Sequence, residues 1–429
     1  MESPERRRCV LLATGSQPAP RTPVFALRPV ERTVLAFLRA GVREFLVAGD
    51  PEPVKWICET LAAGPCRRAR VRPAESLPAA LGRGESFFLA RSDCHYDRRL
   101  VARFVEETRF DVHTRIAVDF RKDALAAHDG APRVALWPGG ESLRMCADAL
   151  VGADAVLTGL ALGTPALARA LSEATRDERR LGRALTLLAG REPVATWPVA
   201  ELWQEVRDDS DLALARRKVL AGAVGVADGL VARYLNRPLS RRITERLLSH
   251  DVKPWQISVI SFFGTLAAGV SFATGHGLTG GLLAQSASVL DGVDGELARI
   301  RYQDSPFGGV YDALLDRVGD AALIGGMTLY AWAMGAGQSA IALGFAAVAG
   351  SSLSMLVKEK YGTQFQRRYA DESEGRARWL LLGRDGRLFL ACLAGVTGHV
   401  EAVLAYLAVG THVHAGVRVY RIRAEAARA

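Results

Sequence analysis

A chain of 429 residues is longer than one hydrophobic core usually serves, so two or three domains are expected. The net charge of +9 is spread as arginine through both halves, with no aromatic–basic recognition motif. That argues against a nucleic-acid partner and leaves anionic lipid headgroups or a phosphorylated substrate as counterparts. A mean hydropathy of +0.09 fits neither a soluble protein nor a pure membrane bundle, but suits one of each.

The first apolar run, CVLLA, follows MESPERRR and is too short for a signal-peptide core, so it reads as a first β-strand. Residues 1–217 then alternate strand-sized apolar runs with amphipathic helical ones (ERTVLAFLRAG, REFLVAG, EPVKWICETLAAG). This pattern predicts an α/β, Rossmann-like cytoplasmic domain around a parallel sheet. Cysteines at 9, 58, 66, 94, 146 and 392 form no CxxC pair and read as reduced thiols. Residues 218–250 form a linker whose segment NRPLSRRITERLLSH reads equally well as an amphipathic interfacial helix or a plain connecting helix.

From 251 to 429 the character changes. Residues 254–290 and 321–357 are each 37 residues long without one Asp, Glu, Lys or Arg, and 388–417 carries only Glu401. A membrane helix needs roughly 20 apolar residues. Each stretch therefore holds two helices, divided at GHGLTGG (275–281), at GAGQ (335–338) and near Gly395–Gly398, and the domain is expected to be all-α with six transmembrane helices. Arginines before the first helix (Arg237, Arg241, Arg242, Arg246), between the fourth and fifth, and after the sixth (Arg418, Arg421, Arg423) place both termini and the N-terminal domain in the cytoplasm.

Between the second and third of these helices stands LDGVDGELARIRYQDSPFGGVYDALLDRVGD. Four carboxylates at the ends of membrane-length segments are costly to bury unless a cation compensates them. Asp291 and Asp294 are spaced i, i+3, and Asp312 and Asp316 i, i+4, so each pair shares a helix face. Four hard oxygen donors on facing helices suit Mg²⁺, Mn²⁺ or Ca²⁺. Gly295, Ala298 and Gly308 fall on the same faces and would let a bulky ligand approach, while Arg299 offers a fixed charge for a phosphate. Helix capping and surface ion pairs account for one or two such acids, not four in register with three small residues. Metal, glycine and arginine together are what phosphoryl transfer requires.

The pattern Asp291-Gly-Val-Asp294-Gly295-x-x-Ala298-Arg299, eight residues, Gly308, three, Asp312, three, Asp316 resembles the full signature of the CDP-alcohol phosphatidyltransferase family. The resemblance implies a six-helix, usually dimeric membrane fold with two metal ions, Mg²⁺ or Mn²⁺, on the cytoplasmic side. It implies attack of an acceptor hydroxyl on the β-phosphorus of a CDP-alcohol with release of CMP. It further implies that Asp291, Asp294 and Asp312 hold metal and that Asp316 holds metal or acts as base. Asp291, Gly295, Ala298, Arg299 and Gly308 would then contact the CDP part.

NRPLSRRIT, VISFFG, LDGVDGELAR and GRDGRLF (383–389) are similar to the di-myo-inositol-phosphate-phosphate synthase branch, whose members often carry an N-terminal inositol-phosphate cytidylyltransferase domain. That similarity implies CDP-inositol or a related CDP-polyol as donor and a polyol phosphate as acceptor. Arg384 and Arg387 are candidates to hold the acceptor phosphate, with Asp320 and Asp385 as further polar candidates, although both arginines also read as positive-inside anchors. The N-terminal domain resembles such a nucleotidyltransferase in layout but departs from it in chemistry. Its phosphate loop is shortened to ATGSQPAPR, and Thr22 stands for the lysine before Pro23. Asp93 is present, but Arg207 occupies the place of the second metal aspartate. The domain is therefore expected to be degenerate. The alternatives are a phospholipid synthase using CDP-diacylglycerol, a bifunctional enzyme with an active cytidylyltransferase, and an ion-binding membrane protein or transporter. The transporter reading is weakened by the lack of internal symmetry.

Overall fold

The computed structural model describes residues 8–13, 19–81, 85–108, 111–128, 131–148, 150–174, 180–223, 229–365, 369 and 371–427. The chain divides into two compact units, Met1–Gly222 and Ala223–Ala429.

The first unit is α/β. Its strands are β1 (Cys9–Ala13), β2 (Glu44–Gly49), β3 (Arg70–Pro73), β4 (Phe87–Arg91), β5 (Cys94–Tyr96), β6 (Arg115–Asp119), β7 (Arg133–Leu136), β8 (Leu143–Ala147), β9 (Ala155–Gly163), β10 (Ala195–Pro198) and β11 (Trp203–Glu205). Its α-helices are α1 (Pro29–Arg39), α2 (Pro51–Ala62), α3 (Leu77–Leu81), α4 (Arg98–Glu107), α5 (Lys122–Ala127), α6 (Pro165–Glu173), α7 (Arg180–Ala189) and α8 (Asp209–Gly222). The main sheet runs β10-β6-β9-β4-β1-β2-β3. The sheet is mixed, not wholly parallel as the alternation predicts: β9 lies antiparallel to both β4 and β6. Pattern reading misses this because a strand buried on both faces looks the same in either direction. CVLLA and EFLVAG pair in parallel as β1 and β2, and their apolar side chains are buried. The glycine-loop segment 14–18 lies outside the described residues.

The second unit is helical: α9 (Arg237–Leu247), α10 (Pro254–Ala273), α11 (Gly277–Ile300), α12 (Pro306–Ala331), α13 (Gln338–Phe365), α14 (Arg384–Thr397) and α15 (Val400–Ala426). The helices break at Thr274–His276, at Gly335 and Gly337 (φ 105° and 59°), and at Gly398 (φ 76°). At each break glycine supplies the left-handed backbone that other residues resist. Of the six helices from α10 to α15, three are long and apolar enough to cross a membrane: α10, α13 and α15. Among the described residues three spans are thus supported, and the expected count of six is not confirmed. The acids interrupt α11 and α12, and α14, at 14 residues, reaches only ~21 Å against a core of ~30 Å.

Small residues set the spacing of this bundle. A Cβ on Gly326 of α12 would lie 2.0 Å from the Gly269 carbonyl oxygen of α10, and one on Gly395 of α14 would lie 2.2 Å from that of Gly277 in α11. Backbones meet directly at both crossings, as in membrane helices, where close packing replaces a hydrophobic driving force.

Candidate active site

The acidic residues sit where α11 ends and α12 begins. Ser305 caps α12 by accepting a hydrogen bond from the Gly308 amide at 3.0 Å, so the helix starts nearly two turns before Asp312. One carboxylate oxygen from each of Asp291, Asp294 and Asp312 lies within 4.8 Å of the others. Asp294 is buried and accepts a hydrogen bond from Ser258 of α10, whereas Asp291 and Asp312 are half-buried. Three convergent carboxylates, with no nitrogen or sulfur donor among the described residues of the group, fit a hard divalent cation.

Asp316 stands outside that trio. Arg384, at the first turn of α14, connects it to the cluster: Nη1 pairs with Asp291 at 2.6 Å and Nη2 with Asp316 at 2.9 Å. Arg387, one turn on, has different surroundings. It is 3% exposed, pairs with Asp320 of α12 and donates to the Leu382 carbonyl at 2.9 Å. Asp385 accepts hydrogen bonds from Ser288 at 3.2 Å and from Asn236 at 3.5 Å.

Arg299 donates to the Ala223 carbonyl, and its guanidinium passes over Gly295, where an added Cβ would lie 3.0 Å from Nη1. Ala298 lies one turn beyond Asp294 and is half-buried. A cavity of about 180 Å³ opens beside the cluster, lined among others by Lys358, Arg378, Arg384, His414 and Arg418. Arg384 therefore borders both the carboxylates and a strongly basic hollow.

Glu296 was missed by sequence reasoning. It is buried in α11 and accepts hydrogen bonds from Arg237 at 2.8 Å, Ser240 at 2.9 Å and Thr244 at 2.6 Å. These three lie at i, i+3 and i+7 along α9, one polar stripe facing one buried acid. The signal was present: a glutamate on a helix of membrane length needs partners, and α9 carries a stripe of donors at helical spacing. This fixes α9 against the site helix.

In the first unit Arg91 reaches Asp93 with two hydrogen bonds (Nε–Oδ1 3.0 Å, Nη2–Oδ2 2.6 Å) and also pairs with Glu205. Arg207 pairs with Asp211 at 3.1 Å. Thr22 and Pro23 lie in the connection between the short turn Ala19–Arg21 and Val24 and belong to no named strand or helix.

Residues 252–413 match the CDP-alcohol phosphatidyltransferase family. A bifunctional IPC transferase and DIPP synthase from Rubrobacter xylanophilus is 36% identical over 411 residues, spanning 90% of this chain and 88% of that protein. A protein of the same description from Thermococcus kodakarensis is 32% identical over 222 residues, half of each chain. An archaetidylinositol phosphate synthase from Pyrococcus horikoshii is 35% identical over 95 residues, covering 22% of this chain and half of the other. Among solved structures, an inositol-1-phosphate CTP transferase from T. maritima aligns with a TM-score of 0.39 at 16% identity, over 52% of this chain and 98% of that one.

A helical unit with three membrane-length apolar helices and a convergent carboxylate cluster matches a transferase class. The chain belongs to the CDP-alcohol phosphatidyltransferase family. It is an enzyme of that family, a CDP-alcohol phosphotransferase whose helical, membrane-type unit follows an α/β unit in the same chain.

Proposed function

We propose that the enzyme moves a phospho-polyol group from CDP-inositol, or a similar CDP-polyol, to the hydroxyl of a polyol phosphate, releasing CMP. The observation that carries this reading is the basic hollow of Lys358, Arg378 and Arg384 directly beside the aspartate cluster. It is a place for an acceptor that itself bears phosphate. The full-length likeness to a bifunctional IPC transferase and DIPP synthase supports the same choice.

Asp291, Asp294 and Asp312 would hold a divalent ion, Mg²⁺ or Mn²⁺, with Asp316 available to a second; an ion held there would supply positive charge for the diphosphate oxygens and the departing nucleotide. Arg299 holds a donor phosphate, and the small side chains of Gly295, Ala298 and Gly308 admit the cytidine diphosphate. The acceptor oxygen attacks the β-phosphorus while Asp316 takes its proton. The bond from the β-phosphorus to the oxygen bridging to the α-phosphorus breaks, and that oxygen leaves with CMP. Arg384 orients Asp316 and borders the acceptor phosphate. The site and the first unit face the cytoplasm, and the enzyme works as a homodimer in a lipid bilayer.

The test is to incubate the purified chain with Mg²⁺, inositol-1-phosphate and either CDP-inositol or CDP-diacylglycerol, then measure CMP. Release with CDP-inositol is expected. Release only with CDP-diacylglycerol would overturn the donor assignment and make the enzyme a phospholipid synthase.

A further inference from the structure

Nucleotidyl transfer from a triphosphate needs cationic neutralisation of the phosphates. The fold that the first unit resembles implies a divalent ion between the Asp93 position and the position now held by Arg207. The residues present do not fit one. Arg91 lies between Asp93 and Glu205, with side-chain exposures of 10%, 5% and 4%. Arg207 sits 3.9 Å from the other Glu205 oxygen and is bonded to Asp211. Three carboxylates already face two guanidinium groups. A cation added there would have to displace a buried, doubly bonded arginine or sit against its charge.

The surroundings are shaped for the arginine. Gly159 of β9 has φ 80°, and a Cβ on it would lie 2.5 Å from Arg91 Cδ. The Tyr96 hydroxyl accepts from the Arg91 amide at 3.3 Å and donates to the Thr158 carbonyl at 3.0 Å, closing the pocket from the other side. The arginine stem thus has its own slot between β4 and β9.

We infer that Arg91 has replaced the metal ion of the first unit, which therefore performs no metal-dependent nucleotidyl transfer. This inference rests on the reading of the second unit as a user of CDP-alcohol. The donor must then come from a separate reaction, in which a phosphate oxygen of a phospho-alcohol attacks the α-phosphorus of CTP and pyrophosphate leaves.

The test uses the full chain in detergent, supplied with CTP, inositol-1-phosphate and Mg²⁺. No pyrophosphate above the blank is expected, while the same preparation releases CMP from CDP-inositol. Pyrophosphate formation that persists in Asp312→Asn would overturn the inference and leave the phosphotransfer reading intact. Absence of CMP release from any CDP-alcohol would overturn the phosphotransfer reading alone. A second measurement follows thermal unfolding with Mn²⁺ in an Asp294→Asn/Asp312→Asn background, which removes the response of the membrane site. No shift is expected with Arg91 present, and a stabilising shift would overturn the inference. Arg91→Met in that background should unfold at lower temperature and recover part of the loss with Mn²⁺.

Discussion

Replacing Arg387 by Met separates a structural role from an acceptor-binding one. The side chain is 3% exposed and its guanidinium meets Asp320, itself 7% exposed. Met keeps the length of the stem but leaves the Asp320 carboxylate buried, with the Ser351 hydroxyl, at 3.4 Å, as its remaining donor among the described residues. Removing one partner of a buried ion pair costs about 3–5 kcal/mol, whereas replacing both by apolar groups of similar volume is often neutral. Arg387→Met should therefore destabilise the membrane unit by about that amount, and Arg387→Met/Asp320→Leu should regain most of it. The assay is denaturant unfolding of the detergent-solubilised chain, paired with the KM for inositol-1-phosphate in CMP release. An unchanged stability with a raised acceptor KM would refute the structural role and return Arg387 to the substrate.

Asp312→Asn and Asp316→Asn should each lower CMP release by at least ~10²-fold without unfolding the chain; chelation should do the same to the wild type, reversed by adding Mg²⁺ or Mn²⁺, and turnover in either variant at the wild-type rate would remove these residues from the site. Glu296→Gln weakens the charge-assisted bond to Arg237, by about 1.5–3 kcal/mol, so trypsin should cut faster at the exposed Arg241 and Arg242; unaltered cleavage would mean α9 is held by other contacts. In the first unit, burial and then the nearby Arg32 and Lys218 charges push His95 down to about 3, and burial and then Lys218 push His128 to about 4. Both are neutral when folded. Below pH 6.5 the unfolded chain takes up protons that the folded one refuses, so stability falls by about 2 kcal/mol for each between pH 7 and 5. Hydrogen exchange in residues 87–119 of the full chain should speed up over that window, and less so in His128→Phe.

Periodicity and charge made the two-unit plan and the helix breaks legible, because runs of apolar residues and left-handed glycines leave local marks. The aspartates were legible for the same reason: helical spacing alone puts Asp291 with Asp294 and Asp312 with Asp316. What spacing cannot convey is pairing across elements. The antiparallel seat of β9, the grip of α9 on Glu296 and the different partners of Arg384 and Arg387 all depend on helices or strands distant in sequence. Arg384 and Arg387 lie one turn apart and look equivalent on paper. A small rotation around α14 puts one on the aspartates and buries the other against Asp320.

The contact of Gly326 with Gly269 acts as a fulcrum for the chemistry. Backbone touches backbone there, without a rotamer to absorb a change. Asp316 is ten residues away on the same helix, a lever arm of ~15 Å. A tilt of only ~4° at that pivot swings the carboxylate by ~1 Å, a misplacement that costs on the order of 10²-fold in rate. One methyl group added at the crossing, far from any substrate, would thus be read out at the reacting phosphorus.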